Sequence, residues 1–202
     1  MKKIMFNDRY GLAQAVIEGR KTMTRRLINL NSTSDVQVRI FAGYVQIIGR
    51  SGNVCDEKKL PYKVGEVVAV AQSYEQAGIQ SWAYLSRPEI DGYQIISTSP
   101  GWRNKMFVRA DIMPHQIRIT GIRCERLQDI SDEDCMKEGV VDVTYFKIQG
   151  RPYQLFALPG HEDEETFNTP HQAFAVLIDK VSGRGTWRRN PWVVVYEFEL
   201  VK

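Results

Sequence analysis

Two stretches of this chain, Gln116–Arg126 and Trp192–Val201, place apolar residues at alternate positions: Ile117 and Ile119 in the first, and Trp192, Val194, Tyr196 and Phe198 in the second. A period of two is that of a β-strand with one face buried. The helical patterns are short and fall early, in the middle and late, so no strand–helix–strand rhythm develops. Such a chain is constrained to a mixed α+β domain built on a small β-barrel, and a doubly wound parallel sheet is disfavoured.

The 202 residues suit one domain, read as 1–202 with insertions at about 75–104 and 140–168. Apolar content of 43% with 25% charged residues is that of an ordinary globule able to fold without staples. The net charge of +3 is too mild to imply nucleic acid by itself, but the cations gather at Arg20–Arg26 and Arg184–Arg189. Cys55, Cys124 and Cys135 are scattered, without a Cys-x-x-Cys pair. Reduced thiols in a cytoplasm are therefore expected, with neither a disulfide framework nor a zinc site. Asn7, Asp8 and Arg9 interrupt the apolar run that a signal peptide needs, and no window is long enough to span a membrane.

Along the chain, strand Lys3–Phe6 leads to a helix with Asn7 as N-cap and Leu12, Ala13, Val16 and Ile17 as its stripe. Gly19 ends it as the C′ residue, and Thr22–Ile28 reads as a strand. Val36–Phe41 and Tyr44–Ile48 form a hairpin across Ala42-Gly43, and Val67–Ala71 is a buried strand. Residues 75–104, with Gly78, Pro88, Gly92, Pro100 and Gly101, read as a loop with one strand at Tyr93–Ser97. Met106–Arg109 reads as another short strand. Ser131-Asp132-Glu133-Asp134 is a capping box opening a helix that ends at Gly139. Residues 140–162 hold one or two strands, and the acidic stretch EDEETFN is a solvated loop or helix start. Thr169-Pro170 opens the last helix, whose stripe is Phe174, Leu177, Ile178 and Val181.

The stretch Glu18–Arg26, EGRKTMTRR, concentrates the chemistry. Four cations and two threonines follow a glycine. A solvated turn, a phosphate or nucleic-acid clamp, and a catalytic lysine–threonine pair all fit it. Thr22, Thr24 and Arg26 share one face of a regular strand and Lys21 points to the other. A lysine–threonine pair thus requires Lys21 to sit in the turn. Arg184, Trp187 and Arg188 compose a surface suited to single-stranded nucleic acid, or else a tryptophan packed into the core beside solvated arginines. His115 precedes a strand where it can reach a cleft, and His161 and His171 read as surface or capping residues. No pair of histidines has a metal-ligand spacing.

Four motifs, AVIEGRKTMTRRLI, YKVGEVVAVAQSY, MPHQIRITGIRCERLQDISDEDCMKEGV and NPWVVVYEFE, occur in this order. Together they resemble the ASCH domain family of the PUA-like superfold, and most of all its longer phage- and prophage-type members. The resemblance covers Met1–Tyr74 and Lys105–Lys202, without family signal in Glu75–Asn104 and Val140–Asn168. It implies a PUA-like β-barrel with helices at its mouth and a cleft for RNA or a nucleotide-like molecule. In the small bacterial branch that hydrolyses N4-acetylcytidine, the matching positions are Lys21, Thr24 and, through the helix DEDCMKEG, Glu138. The resemblance implies no cofactor and no metal.

Three readings follow. One is a module that holds RNA or a modified nucleotide, lined by Arg20, Thr22, Arg25, Arg26 and His115, with Arg184, Trp187 and Arg188 nearby. The second is a metal-independent amidohydrolase, with Thr24 as nucleophile, Lys21 as base and Glu138 as proton shuttle or orienter. The third is a phage accessory protein without catalysis. In the second, Lys21 must titrate well below about 10.4. Burial and the arginines push it down, and Glu138 pushes it up.

Overall fold

The computed structural model describes residues 1–30, 36–87, 92–144, 146–148 and 151–201. Strand β1 (Lys3–Ile4) leads to helix α1 (Leu12–Ile17) and strand β2 (Met23–Leu27). A meander follows, of β3 (Gln37–Phe41), β4 (Tyr44–Ile48) and β5 (Val54–Lys59). Then come β6 (Val67–Val70) and the hairpin β7 (Tyr84–Arg87) and β8 (Gly92–Ile95). Short 3-10 turns lead to β9 (Gln116–Arg126) and α2 (Asp132–Lys137). Five short strands come next: β10 (Val141–Asp142), β11 (Phe146–Ile148), β12 (Arg151–Tyr153), β13 (Phe156–Ala157) and β14 (Thr166–Phe167). The chain closes with α3 (Pro170–Ser182), α4 (Thr186–Arg189) and β15 (Trp192–Leu200).

The principal sheet has the order β1-β6-β9-β15-β2, with β1 parallel to β6 and the other pairs antiparallel. The two alternating stretches are its central strands β9 and β15. Strand β15 is covered on both faces: Val193 and Val195 are fully buried, and so are Val194, Tyr196 and Phe198. The apolar run VVVYEF is therefore a doubly buried strand rather than the one-sided strand that the alternation suggests. Strands β1 and β2 are the two edges. Arg26 on β2 donates from Nη2 to the Met5 carbonyl at 2.6 Å, just beyond β1. A side chain, and not ladder hydrogen bonds, thus joins the two edges among the described residues. The expected mixed architecture with a few short helices is present.

Apolar side chains form two cores. The larger packs α1 and α3 against the principal sheet, and the smaller joins Tyr74, Leu85, Ile96 and Met113 beneath the β7–β8 hairpin. No helix among the described residues is long and apolar enough to cross a membrane.

Several expectations change. Asn7 is not the cap of α1, which begins at Leu12 after Gly11 in the left-handed region. Asn7 Oδ1 instead accepts from Arg9 N and shapes a preceding turn. Met106–Arg109 is not a strand, since Lys105–Phe107 is a 3-10 turn capped by Asn104. The 75–104 segment holds two paired strands where one was expected, and Pro88 lies outside the described residues. The 140–168 segment holds five short strands, and EDEETFN contributes β14. The polar strand β5 is an addition that no apolar pattern announces.

Candidate active site

Helix α1 ends as its sequence dictates. Gly19 adopts φ 73°, and the chain folds back so that Lys21 N donates to Ala15 O at 2.9 Å. Thr22 then joins two elements: its N–H donates to Lys137 O at the end of α2, and its carbonyl accepts from Phe198 N of β15. Strand β2 begins only at Met23. Lys21 therefore lies in the turn, as a lysine–threonine pair requires, and its side chain need not obey the strand alternation.

Lys21 is 2% exposed. Its Nζ donates to Glu138 Oε2 at 2.6 Å and to the Glu138 carbonyl at 2.7 Å. Glu138 is the C-cap of α2 and is also buried. Its other oxygen, Oε1, accepts from Arg25 Nη1 at 3.1 Å. A carboxylate at a helix C-terminus faces the negative end of the dipole, so the two cations are what hold it there.

Burial holds the Lys21 ammonium below its ordinary range, as a charge in a dry site is poorly solvated. Glu138 opposes this, while Arg26 and Arg25 add to it. The net direction is down.

These residues line a cavity of about 190 Å³, bounded on another side by Phe174, Leu177, Ile178 and Val181 of α3. Thr24, Arg25, Arg26 and Leu27 are consecutive and all reach it. Successive strand residues point to opposite faces, so the cavity lies against the open edge of β2 and touches both faces. Thr24 is buried, and no side-chain hydrogen bond to its hydroxyl is made among the described residues. The only inaccessible, unpartnered side-chain polar atom among them is Gln72 Oε1, so the Thr24 oxygen opens on free space.

Behind the cavity lies an ionic network that the sequence does not announce. Arg25 also binds Glu125 of β9 and Asp134 of α2, at 2.6 and 3.0 Å. Arg123 of β9 binds the same Glu125 and Asp134 and reaches Glu197. The capping box is present in half: Ser131 Oγ accepts from Asp134 N, while the Asp134 carboxylate turns to the arginines. Across β15, Val195 is in register with both Arg25 and Arg123, so Glu125, two residues along β9 from Arg123, shares their face.

Of the other expected site residues, Arg25 and Arg26 line the cavity and the rest are not brought to it. Arg25 is not available to a ligand, because its side chain is 1% exposed and its guanidinium is committed to three carboxylates. Arg20 is at the surface, paired with Glu18. Thr22 serves the backbone junction described above. His115 is half-buried and contributes its carbonyl to Val70 N. Arg184 and Arg188 are exposed at the far end of α3 and on α4. Trp187 is not a free stacking platform: it packs edge-on to Phe174, ring centroids 6.1 Å apart, and Asp179 accepts from its backbone N–H. His161 and His171 each lie between a carboxylate and a backbone carbonyl. No cluster of three potential metal ligands occurs among the described residues.

The fold and site together define a mixed α/β protein with a buried lysine–glutamate pair and a buried threonine lining one small cavity. No protein-family model, curated protein or solved structure matches the chain.

Proposed function

We propose that this protein is a metal-independent amidohydrolase of the ASCH type, acting on N4-acetylcytidine or a closely related N-acylated base. The observation that carries this reading is the Lys21–Glu138 pair at 2.6 Å in the wall of a cavity that also exposes Thr24. A buried ion pair is a poor stabiliser compared with apolar packing, so its position at a cavity wall favours a chemical role. The four ordered motifs that resemble the ASCH family support the same assignment. The PUA-like fold belongs to this proposal, supported by the β1–β6–β9–β15–β2 order with its edges drawn together by Arg26.

In this mechanism neutral Lys21 takes the Thr24 hydroxyl proton as Oγ1 attacks the amide carbonyl. The C–N bond breaks, the Lys21 ammonium returns a proton to the departing amine, and an acyl–threonine ester remains. Water, deprotonated by Lys21, then hydrolyses the ester, releases the acid and restores Thr24. Glu138 orients Lys21 throughout. Arg26 lines the cavity with Nη2 on the Met5 carbonyl, and its remaining N–H groups would steady the developing oxyanion.

Retention of RNA is supported less well. Arg25 is neutralised by its carboxylates and is not available to a phosphate. The test is release of acetate from N4-acetylcytidine by the purified protein. Thr24→Ala should abolish release while circular dichroism is unchanged. A rate unaltered in Thr24→Ala removes threonine as the nucleophile, and no release from any N-acylated pyrimidine removes the hydrolase reading.

A further inference from the structure

Helix α2 has only six residues and, of these, only Cys135 is buried. Apolar packing is thus a weak determinant of where α2 sits, yet its C-cap Glu138 must meet Lys21 within hydrogen-bond distance. The Thr22–Lys137 backbone bond, the Arg123–Asp134 pair and His171 on Asp132 help to hold it, and the cation that reaches both Asp134 and Glu138 is Arg25. Its Nε and Nη2 bind Glu125 Oε1 at 2.9 and 2.6 Å, its Nη2 binds Asp134 Oδ2 at 3.0 Å, and its Nη1 binds Glu138 Oε1 at 3.1 Å. One planar guanidinium therefore ties β2 to β9 and to two positions of α2. A lysine, with a single ammonium, offers no such fork.

We infer that Arg25 is a positioning residue of this site, holding one oxygen of Glu138 so that the other is presented to Lys21. Its link to catalysis rests on the hydrolase reading proposed above, whereas the positioning itself does not. Arg25 acts through Glu138, since its own side chain is too buried to reach a ligand. The charged groups facing Lys21 are Glu138 from the end of α2 and Arg25 and Arg26 from β2. The Phe6 ring lies 5.9 Å from its Nζ. Removal of Arg25 deletes a repelling cation, but it also frees Glu138, whose charge and hydrogen bond act on Lys21 more strongly than Arg25 does. Loss of the positioned carboxylate therefore favours the neutral lysine and leaves the base unoriented.

The test follows the Lys21 side chain by NMR in lysine-labelled protein as pH is raised, in wild type, Arg25→Gln and Arg25→Lys. The Lys21 midpoint should fall in Arg25→Gln and fall less in Arg25→Lys, because Glu138 is no longer held against it. At neutral pH kcat on an N-acylated cytidine should fall at least tenfold in Arg25→Gln and less in Arg25→Lys, with KM little changed and the acidic limb of the pH profile displaced downward. Arg25→Lys keeps a buried cation and serves as the readable variant if Arg25→Gln does not fold. A Lys21 midpoint that is unmoved or rises in either folded variant overturns the inference, even in an active enzyme. A midpoint that falls in a protein without amidase activity sustains the inference and instead sinks the hydrolase reading.

Discussion

Lys21 Nζ and Glu138 Oε2 lie 2.6 Å apart, both side chains almost wholly shielded from solvent, in the wall of a cavity beside an unpaired strand edge. The partners come from the turn after α1 and the cap of α2, so neither helix alone contains the pair. Opposite charges so placed repay their desolvation only while both are present.

Removal of one partner should therefore be costly. Glu138→Gln strands the Lys21 charge and deprives Arg25 of an acceptor, and should lower stability by about 3–5 kcal/mol. The double change Lys21→Met with Glu138→Leu should recover most of that loss and remain inactive. Urea denaturation of the two single variants and the double variant reads the coupling directly. Additive losses would show that the two residues stabilise the fold independently.

The depressed Lys21 titration has a signed consequence for stability. Its folded pKa lies below that of the unfolded chain, so between the two values the unfolded state binds more protons. Stability must then rise with pH across that window and level off above about 10.4. Burial of Cys124 and Cys135 pushes their thiols up to about 11 and about 12, which acts in the opposite direction at alkaline pH. The two cysteines are common to wild type and Lys21→Met, so the difference between the two denaturation curves isolates Lys21. That difference should shift in favour of wild type as pH rises from 7 toward 10, and a constant difference would contradict a depressed Lys21.

Thiol reactivity should divide the cysteines sharply. Cys55 is exposed, whereas the raised Cys124 and Cys135 thiols stay protonated and unreactive at pH 8. A thiol-specific chromogenic reagent should titrate Cys55 rapidly in the native protein and the other two only after denaturation. Rapid reaction of Cys135 under native conditions would mean that α2 opens readily.

The second basic segment should answer to packing. Trp187→Ala should cost about 3 kcal/mol, because it empties the space against Phe174. Arg184→Ala and Arg188→Ala should each stay within about 0.5 kcal/mol of wild type, as is usual for surface changes. Thermal melts decide this, and a neutral Trp187→Ala would return that ring to the solvent.

Glycine positions offer a paired contrast. A Cβ at Gly101 would lie 2.5 Å from Cε2 of the buried Tyr74 ring, with no room to yield, and Gly101→Ala should cost about 1–3 kcal/mol. A Cβ at Gly121 would meet Glu197 Oε2 at 2.7 Å, but that is the tip of a flexible, half-exposed side chain. Gly121→Ala should therefore cost less, chiefly by drawing Glu197 away from Arg123. Equal losses at the two positions would contradict this account.

The core of the fold was legible where a local pattern records burial. Strand β9 follows period two over Ile117 and Ile119, β15 is announced by its apolar run although it is buried on both faces, α3 shows both its cap and its apolar stripe, and Gly19 marks the end of α1. The site was legible in part for the same reason: a glycine stop followed by Lys-Thr-Met-Thr announces a turn feeding a strand. Other features leave little trace in the order of residues. Arg25 looks like a surface cation, because its three carboxylates come from β9 and α2, about a hundred positions away. Trp187 reads equally as a stacking platform or a packed ring, and what decides for packing is Asp179 on α3, which binds the backbone of Gly185 and Trp187 and sets the ring against Phe174. Strand β5 is polar and joins its sheet through β4, so hydrophobic periodicity does not register it.

The sequence separation of Lys21 and Glu138, 117 positions, sets when the site comes into being. Strand β2, which carries Thr24, pairs with β15 alone among the described residues. Contacts of such long range close late, after the loop entropy between them has been met by other parts of the fold. On refolding, burial of Lys21 should lag behind formation of the β3–β4–β5 meander, whose strands are neighbours in sequence. The constellation thus serves as a clock for the last step of folding, since a chain that has not docked β15 has no edge on which to build it.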